Sequence, residues 1–329
     1  MSPLFGHEAP IRAFRDSLDA GRLHHAWLLA GPQGIGKALF AEKAALRVLA
    51  RGQGPVEAPG LDVPDSHPAA RLMAAGSHPD LMKLERLVKE TSTTGELARS
   101  ISVDQVRGLQ RLFSTTASLS PWRVVIIDAI DDLERNAANA LLKNLEEPPP
   151  HSLFLLVSHA PERLLPTIRS RCRQIRFSVL QTDAMTSALR SAAPDAEESE
   201  IAELAAAGQG SPGRALAWRG LDIAGLDRVM EALAREGDAT NAKRAALAQA
   251  LTLKSAQPRY EAFLSRVPTF IAAAARIRSG PALADALRLW ERAQSLASSA
   301  RGLSLETESV VFELCGMLAA LAPPAKRAA

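Results

Sequence analysis

The sequence predicts an α/β domain built on a parallel sheet, followed by two domains made of helices alone. Three observations predict it. Short apolar runs alternate with helical patterns over the first half, as they do where helices cover a parallel sheet. One of those runs ends in a glycine-rich turn, Gly31 to Lys37, that opens directly onto a helix. After about residue 178 the strand-like runs stop, and alanine-rich helical patterns continue towards the C-terminus.

Taken in order, Ala26-Trp27-Leu28-Leu29-Ala30 reads as a buried strand and Ala38 to Ala50 as the helix behind it. Residues 51–80 carry several Gly, Pro and His with little periodicity, so they read as an irregular excursion. Ser102 to Leu112 has a helical apolar pattern behind a capping serine, with Gln105 three positions on. Val124 to Ile127 is a continuous β-branched run, as in a strand buried on both faces. The helix after it places Leu141, Leu142 and Leu145 on one side and is stopped by Pro148-Pro149-Pro150. Leu153 to Val157 is a further buried strand, and Ile175-Arg176-Phe177 a short last one. Gly208-Gln209-Gly210-Ser211-Pro212-Gly213 breaks the helices that follow, and Gly220 is a weaker break. Near the C-terminus, Leu287 to Ala300 and Glu306 to Leu321 read as helices. Val310, Val311, Leu314, Leu318 and Leu321 lie at i, i+3, i+4 spacing on the second. The expected domains are 1–178, 179–221 and 222–329.

Composition narrows the function. The 329 residues are 47% apolar and 23% charged, the balance of a globular protein. No apolar run approaches 18 residues, so no membrane span is expected. The start, MSPLFGHEAP, lacks the build of a signal peptide. Cys172 and Cys315 are far apart and fit neither a disulfide framework nor a zinc spacing. A reducing, cytoplasmic location is therefore expected, and no zinc. Net charge is +3, and only eight of the 39 basic residues are lysine, a bias that coding composition explains. With 4% aromatics and no aromatic–basic interleaving, base stacking on this chain is not expected.

Gly31-Pro32-Gln33-Gly34-Ile35-Gly36-Lys37 fits the phosphate-binding pattern G-x-x-x-x-G-K. Glycines let backbone N–H groups wrap phosphates, the lysine meets the β and γ oxygens, and the next helix offers its positive end. The competing reading is a tight turn with a solvated lysine. The position between strand and helix favours nucleotide binding. The residue after the lysine should be Ser or Thr, whose hydroxyl holds Mg²⁺; here it is Ala38. An acidic partner is expected at the end of a second buried strand, and Asp128 supplies it. Hydrolysing enzymes of this broad class usually follow that aspartate with a glutamate that activates water; here the residue is Ala129. Asp131 and Asp132 lie further on and are not assumed to substitute. The expectation is ATP bound without turnover, with Mg²⁺ weakly held or absent.

Three segments carry a closer resemblance. Asn139-Ala140-Leu141-Leu142-Lys143-Asn144-Leu145-Glu146-Glu147-Pro148-Pro149, then Phe154 to Ser158, then Ile168-Arg169-Ser170-Arg171-Cys172, resemble the clamp-loader branch of AAA+ ATPases. Order and spacing match from residue 4 to about 178, and Ser170-Arg171-Cys172 is the most diagnostic part. The resemblance implies an AAA+ RecA-like nucleotide-binding domain, a small helical lid and an all-helical collar that joins a hetero-oligomeric ring. It implies that Arg171 is an arginine finger acting in trans on a neighbour's ATP. Motor members (gamma/tau) carry an intact Lys-Thr or Lys-Ser loop, an acidic pair and four zinc cysteines, none of which is present here. Delta typically lacks both loop and finger. This chain resembles the remaining kind, which keeps the finger while its own site decays, though here the loop is nearly complete and the zinc cysteines are absent. The implied partners are the gamma/tau and delta subunits of the DNA polymerase III loader, the sliding clamp, and primed DNA through the assembly, with no membrane. DNA replication is the implied process.

Three carry-overs are weaker. Ser158 ends a strand where the family has its first polar sensor, and a satisfied strand-end serine explains it equally. Arg214 resembles a second sensor at the start of a lid helix, against a merely solvated arginine. Leu4-Phe5-Gly6-His7-Glu8 resembles the segment beside the adenine. The histidines show no metal spacing, and Cys172 reads as buried packing. Two alternatives stay open: an active Mg-ATPase, either a motor subunit or another AAA+ remodeller, and an unrelated phosphate-loop enzyme.

Overall fold

The computed structural model describes residues 2–89, 95–303 and 305–323. It divides into two compact units, 1–216 and 217–329. The first contains α1 (Glu8–Asp19), β1 (Ala26–Ala30), α2 (Lys37–Arg51), α3 (Pro68–Ala74), β2 (Leu81–Glu85), α4 (Val103–Arg107), α5 (Leu109–Ser114), β3 (Arg123–Asp128), α6 (Arg135–Glu146), β4 (Ser152–Ser158), α7 (Pro166–Arg169) and β5 (Arg173–Arg176). The small helices α8 (Thr182–Ala192), α9 (Glu198–Gly208) and α10 (Pro212–Ala217) follow.

The five strands form one parallel sheet in the order β2-β3-β4-β1-β5. The phosphate-loop strand is thus separated from β3 by β4, the strand order of the AAA+ fold. Every residue of β1 and β4 is buried, which is why both read as continuous apolar runs rather than alternating ones. Phe14, Trp27 and Phe40 pack on the α2 side of the sheet. Val125, Ile127, Leu141 and Leu145 pack on the α6 side.

Three local readings change. β2 escapes the sequence because it is an edge strand with only Leu84 buried and exposed Lys83 at its centre. The helix expected over Ser102 to Leu112 is two short helices meeting at Gly108. Its start is as expected: Ser102 accepts from the Gln105 amide while the Gln105 side chain accepts from the Ser102 amide. The last strand runs from Arg173 to Arg176, and the Phe177 amide continues the ladder at 2.8 Å from Ala30 O.

The excursion after α2 contains α3; a small apolar cluster of Ala69, Ala70, Val56, Val63 and Met73 packs it on Leu46 and Ala50 of α2, and a buried arginine ties down its loop. Arg47, 4% exposed, donates to the carbonyls of Val56 (2.9 Å), Ala58 (3.1 Å) and Asp62 (2.8 Å). Lys43 pairs with Asp62 at 2.6 Å, and Arg15 donates to Gly60 O at 2.8 Å. Arg47→Ala leaves the Val56 and Asp62 carbonyls without their donor and Ala58 O with only Arg15 at 3.3 Å, an expected loss of about 3 kcal/mol. A melting temperature lowered by about 5–10 °C is the expected reading in a thermal melt, and an unchanged melt would remove this role.

The second unit is helical: α11 (Ile223–Glu236), α12 (Ala242–Thr252), α13 (Gln257–Arg276), α14 (Gly280–Leu303) and α15 (Thr307–Ala319). The stripe of Val310, Val311, Leu314, Leu318 and Leu321 is buried within the unit. Along α14 the buried positions are Ala286, Ala293, Ala297 and Ala300, whose small side chains let α13 and α15 approach closely. No helix among the described residues is long and apolar enough to cross a membrane.

Candidate functional site

At the carboxyl ends of β1, β3 and β4 the sheet brings together Lys37, Asp128, Asp131, Ser158 and the loop Gly31 to Gly36. The register sets this up: Ala30 pairs with Ser158, and Asp128 with Val157. The Gly31 amide then donates to Ser158 O at 3.2 Å, tying the start of the loop to β4.

Gly36, at φ 101°, turns the chain into α2 in a conformation that suits glycine. Gly34, at φ 77°, lies against the segment before α10, and a Cβ there would meet Ser211 Oγ at 2.6 Å and the Arg214 amide at 2.9 Å. Among the described residues, the amides of Gly34, Ile35 and Gly36 donate to no protein acceptor. Ile35 O, by contrast, accepts at 2.7 Å from Nε2 of His7, a histidine 8% exposed. A carbonyl only accepts, so the His7 ring carries its proton on Nε2. Burial lowers the His7 pKa below the usual histidine value. The N-terminal segment, a weak signal in the sequence, is therefore a strut under the loop.

Lys37 is 2% exposed, and its Nζ donates to Gly31 O at 2.6 Å and to Pro32 O. Burial brings its pKa down to about 8, only partly offset by Asp128 and Asp131. A buried ammonium held by two carbonyls, beside unpartnered amides, fits an anion. These groups suit the phosphates of a nucleotide, with Lys37, Gly34, Ile35 and Gly36 as the contacting residues.

A divalent cation fits poorly. Ala38 offers a methyl group where a hydroxyl ligand is needed, and Ala129, 2% exposed, offers no carboxylate for water activation. Asp128 stands alone, its pKa raised by burial and by Glu85 and Glu42, against the lowering effect of Lys83 and Lys37. Asp131 is committed elsewhere. It accepts from Ser158 Oγ (2.9 Å), the His159 amide (2.6 Å) and the Ala160 amide (3.2 Å), latching the end of β4. Sequence reasoning missed this latch because the partners lie more than 25 positions apart. It also passed over His159, which burial and the nearby Lys37 charge hold down to about 4, so the ring is neutral.

Arg214 follows Gly213, whose amide donates to Gly34 O at 2.8 Å, while Ser211 Oγ donates to Gln33 O at 2.8 Å. The lid segment thus seats directly on the loop, with Pro32 and Gln33 exposed at its rim. Cys172 packs against the α6-side core, and burial pushes its thiol up to about 12, consistent with inert packing.

Arg171 lies at the opposite, amino end of the strands. β5 is parallel to β1, with Arg173 level with Trp27, so Arg171 sits beyond the amino end of the strand that carries the loop. Gly31 is four residues further along β1, at least about 13 Å away at strand rise, out of reach of one side chain. Arg171 donates to Thr167 O at 2.9 Å and pairs with Glu146 at 2.8 Å, with about a third of its side chain exposed.

Strand order and loop together define an α/β domain of the AAA+ class. The chain belongs to the DNA polymerase III delta subunit family, whose model matches residues 6–181. It is 41% identical to DNA polymerase III subunit delta' of Pseudomonas aeruginosa over 188 residues, covering 57% of this chain and 53% of that one. It is 36% identical to subunit delta' of Bacillus subtilis over 175 residues, covering 53% and 48%. Subunit tau of Escherichia coli is 32% identical over 182 residues, covering 54% and 25%. The chain spans about half the length of the delta' relatives it matches.

Proposed function

We propose that this chain is the delta' (stator) subunit of the DNA polymerase III clamp loader. In this reading it binds ATP without hydrolysing it, offers Arg171 to the ATP site of a neighbouring gamma/tau subunit, and supports loading of the sliding clamp on primed DNA beside delta. The observation that carries the reading is a division of labour across one sheet. The carboxyl end of the sheet, with the phosphate loop, lacks the two groups hydrolysis needs, Ala38 and Ala129 standing in their places. The amino end presents an arginine that cannot reach its own loop.

Each part has a physical role. The unpartnered amides and Lys37 hold phosphate oxygens, and Ser211 and Gly213 brace the loop carbonyls from behind. Ser158, fixed by Asp131, and Arg214 close the two sides of the site as its polar sensors. Without a hydroxyl beside Lys37, the site orients no metal and positions no water, so a bound triphosphate stays intact. A finger supplied in trans neutralises charge that develops on a transferred phosphoryl group. The second unit supplies the collar through helix faces it does not use internally.

The test has two arms. The isolated chain is expected to bind a fluorescent ATP analogue saturably and to show no turnover above background. Added to gamma/tau and delta, it is expected to assemble and to raise clamp-dependent ATP turnover. Turnover by the isolated chain that Lys37→Ala abolishes would replace this reading with the active Mg-ATPase.

A further inference from the structure

Glu146 is the last residue of α6, and three facts make its presence there unexpected on local grounds. A carboxylate in the last turn of a helix faces the negative end of the helix dipole, costing about 0.3–1 kcal/mol. It is followed by a second acid, Glu147, so two acids face one base, Lys143, around the helix end. Among the described residues its ion pair is to Arg171 at 2.8 Å and is solvent-exposed, with side chains 35% and 48% accessible, and such pairs contribute only about 0–1 kcal/mol. Stability does not account for Glu146.

Its placement is nevertheless well determined. Leu145 is 1% exposed in the α6-side core, and its carbonyl accepts from His25 Nε2 at 3.2 Å, just before β1. The end of α6 is thus fastened to the sheet at the same end of the strands as Arg171. The guanidinium is gripped from two sides, Nη2 by Glu146 and Nη1 by the Thr167 carbonyl at 2.9 Å. Arginine side chains carry about 2 kcal/mol of rotamer entropy, and a planar fork fixed beforehand loses less of it when it engages a ligand.

We propose that Glu146 is a positioning residue for Arg171, holding its guanidinium in the pose in which it meets a neighbour's nucleotide. This rests on the trans-finger reading above. Glu146 holds Nη2 and Thr167 O holds Nη1, with Ser170 Oγ 3.5 Å from the same nitrogen, and these contacts fix the plane of the fork. The role is geometric, so a neutral acceptor of the same length serves nearly as well as the carboxylate.

The test is single-turnover ATP hydrolysis by the reconstituted loader, with the facing site resolved as its own kinetic phase and assembly checked by gel filtration. Glu146→Ala is expected to slow that phase about 5–30-fold while leaving the KM for ATP unchanged, because the contact acts after nucleotide binds. Glu146→Gln, which keeps an acceptor oxygen, is expected to stay within about threefold of wild type. In an Arg171→Ala background, Glu146→Ala is expected to add nothing. Wild-type or faster hydrolysis with Glu146→Ala, while Arg171→Ala is slow, overturns the positioning role and leaves the finger standing. The same loss in both backgrounds also overturns it, as a general structural effect. Wild-type hydrolysis with Arg171→Ala would instead overturn the finger itself.

Discussion

Arg171→Ala is expected to lower hydrolysis at the facing site of the assembled loader by about 10³-fold, the lower end of what an arginine finger contributes. The melting temperature of the isolated chain should hardly move, since Arg171 is partly exposed and its bonds are to Glu146 and a surface carbonyl. The KM for ATP should also stay constant, because a group acting on charge that develops during transfer affects the chemical step alone. Arg171→Lys is not expected to rescue, since a point charge on a flexible stem does not reproduce a planar fork. An unchanged rate in a correctly assembled ring would remove the finger from the mechanism.

Lys37→Met is expected to weaken ATP binding by the isolated chain about 100-fold, the worth of one charge-assisted contact to phosphate. It should not cost stability. The Lys37 ammonium is buried, and the drop of its pKa to about 8 corresponds to an unfavourable charge worth about 3 kcal/mol at neutral pH. A thioether of similar length removes that charge, so the melting temperature is expected to hold or rise. The same value fixes the pH dependence. The free chain sheds this proton as pH climbs through about 8, whereas bound phosphates retain it. Affinity should therefore be level below pH 8 and fall about tenfold per unit above it, until the bound-state pKa is reached. An equilibrium titration with a fluorescent ATP analogue from pH 6.5 to 9.5 measures both effects, and a level profile to pH 9.5 would contradict the burial argument.

The parallel sheet was legible in the sequence wherever strands are buried on both faces. Leu28 and Ile126 needed only the unbroken apolar runs around them to be placed. β2 was not legible, because an edge strand with Lys83 at its centre has no such pattern. The phosphate loop could be read from seven consecutive residues, since its geometry is local. The supports of that loop could not. His7 reaches Ile35 across 28 positions, and Ser211 reaches Gln33 across 178. Neither partner carries any mark of the contact, since the seats for both are created only when strand and lid segments close around the loop.

By itself, the sequence determined the fold class, a loop of G-x-x-x-x-G-K pattern between strand and helix, and alanine at positions 38 and 129. These are statements about residue type at fixed local spacing, and spacing survives without coordinates. The tertiary structure alone decided which end of the strands each group occupies. Parallel strand order sets Arg171 beyond the amino end of β5 while the loop leaves the carboxyl end of β1. The length of a strand then separates Arg171 from the loop of its own chain.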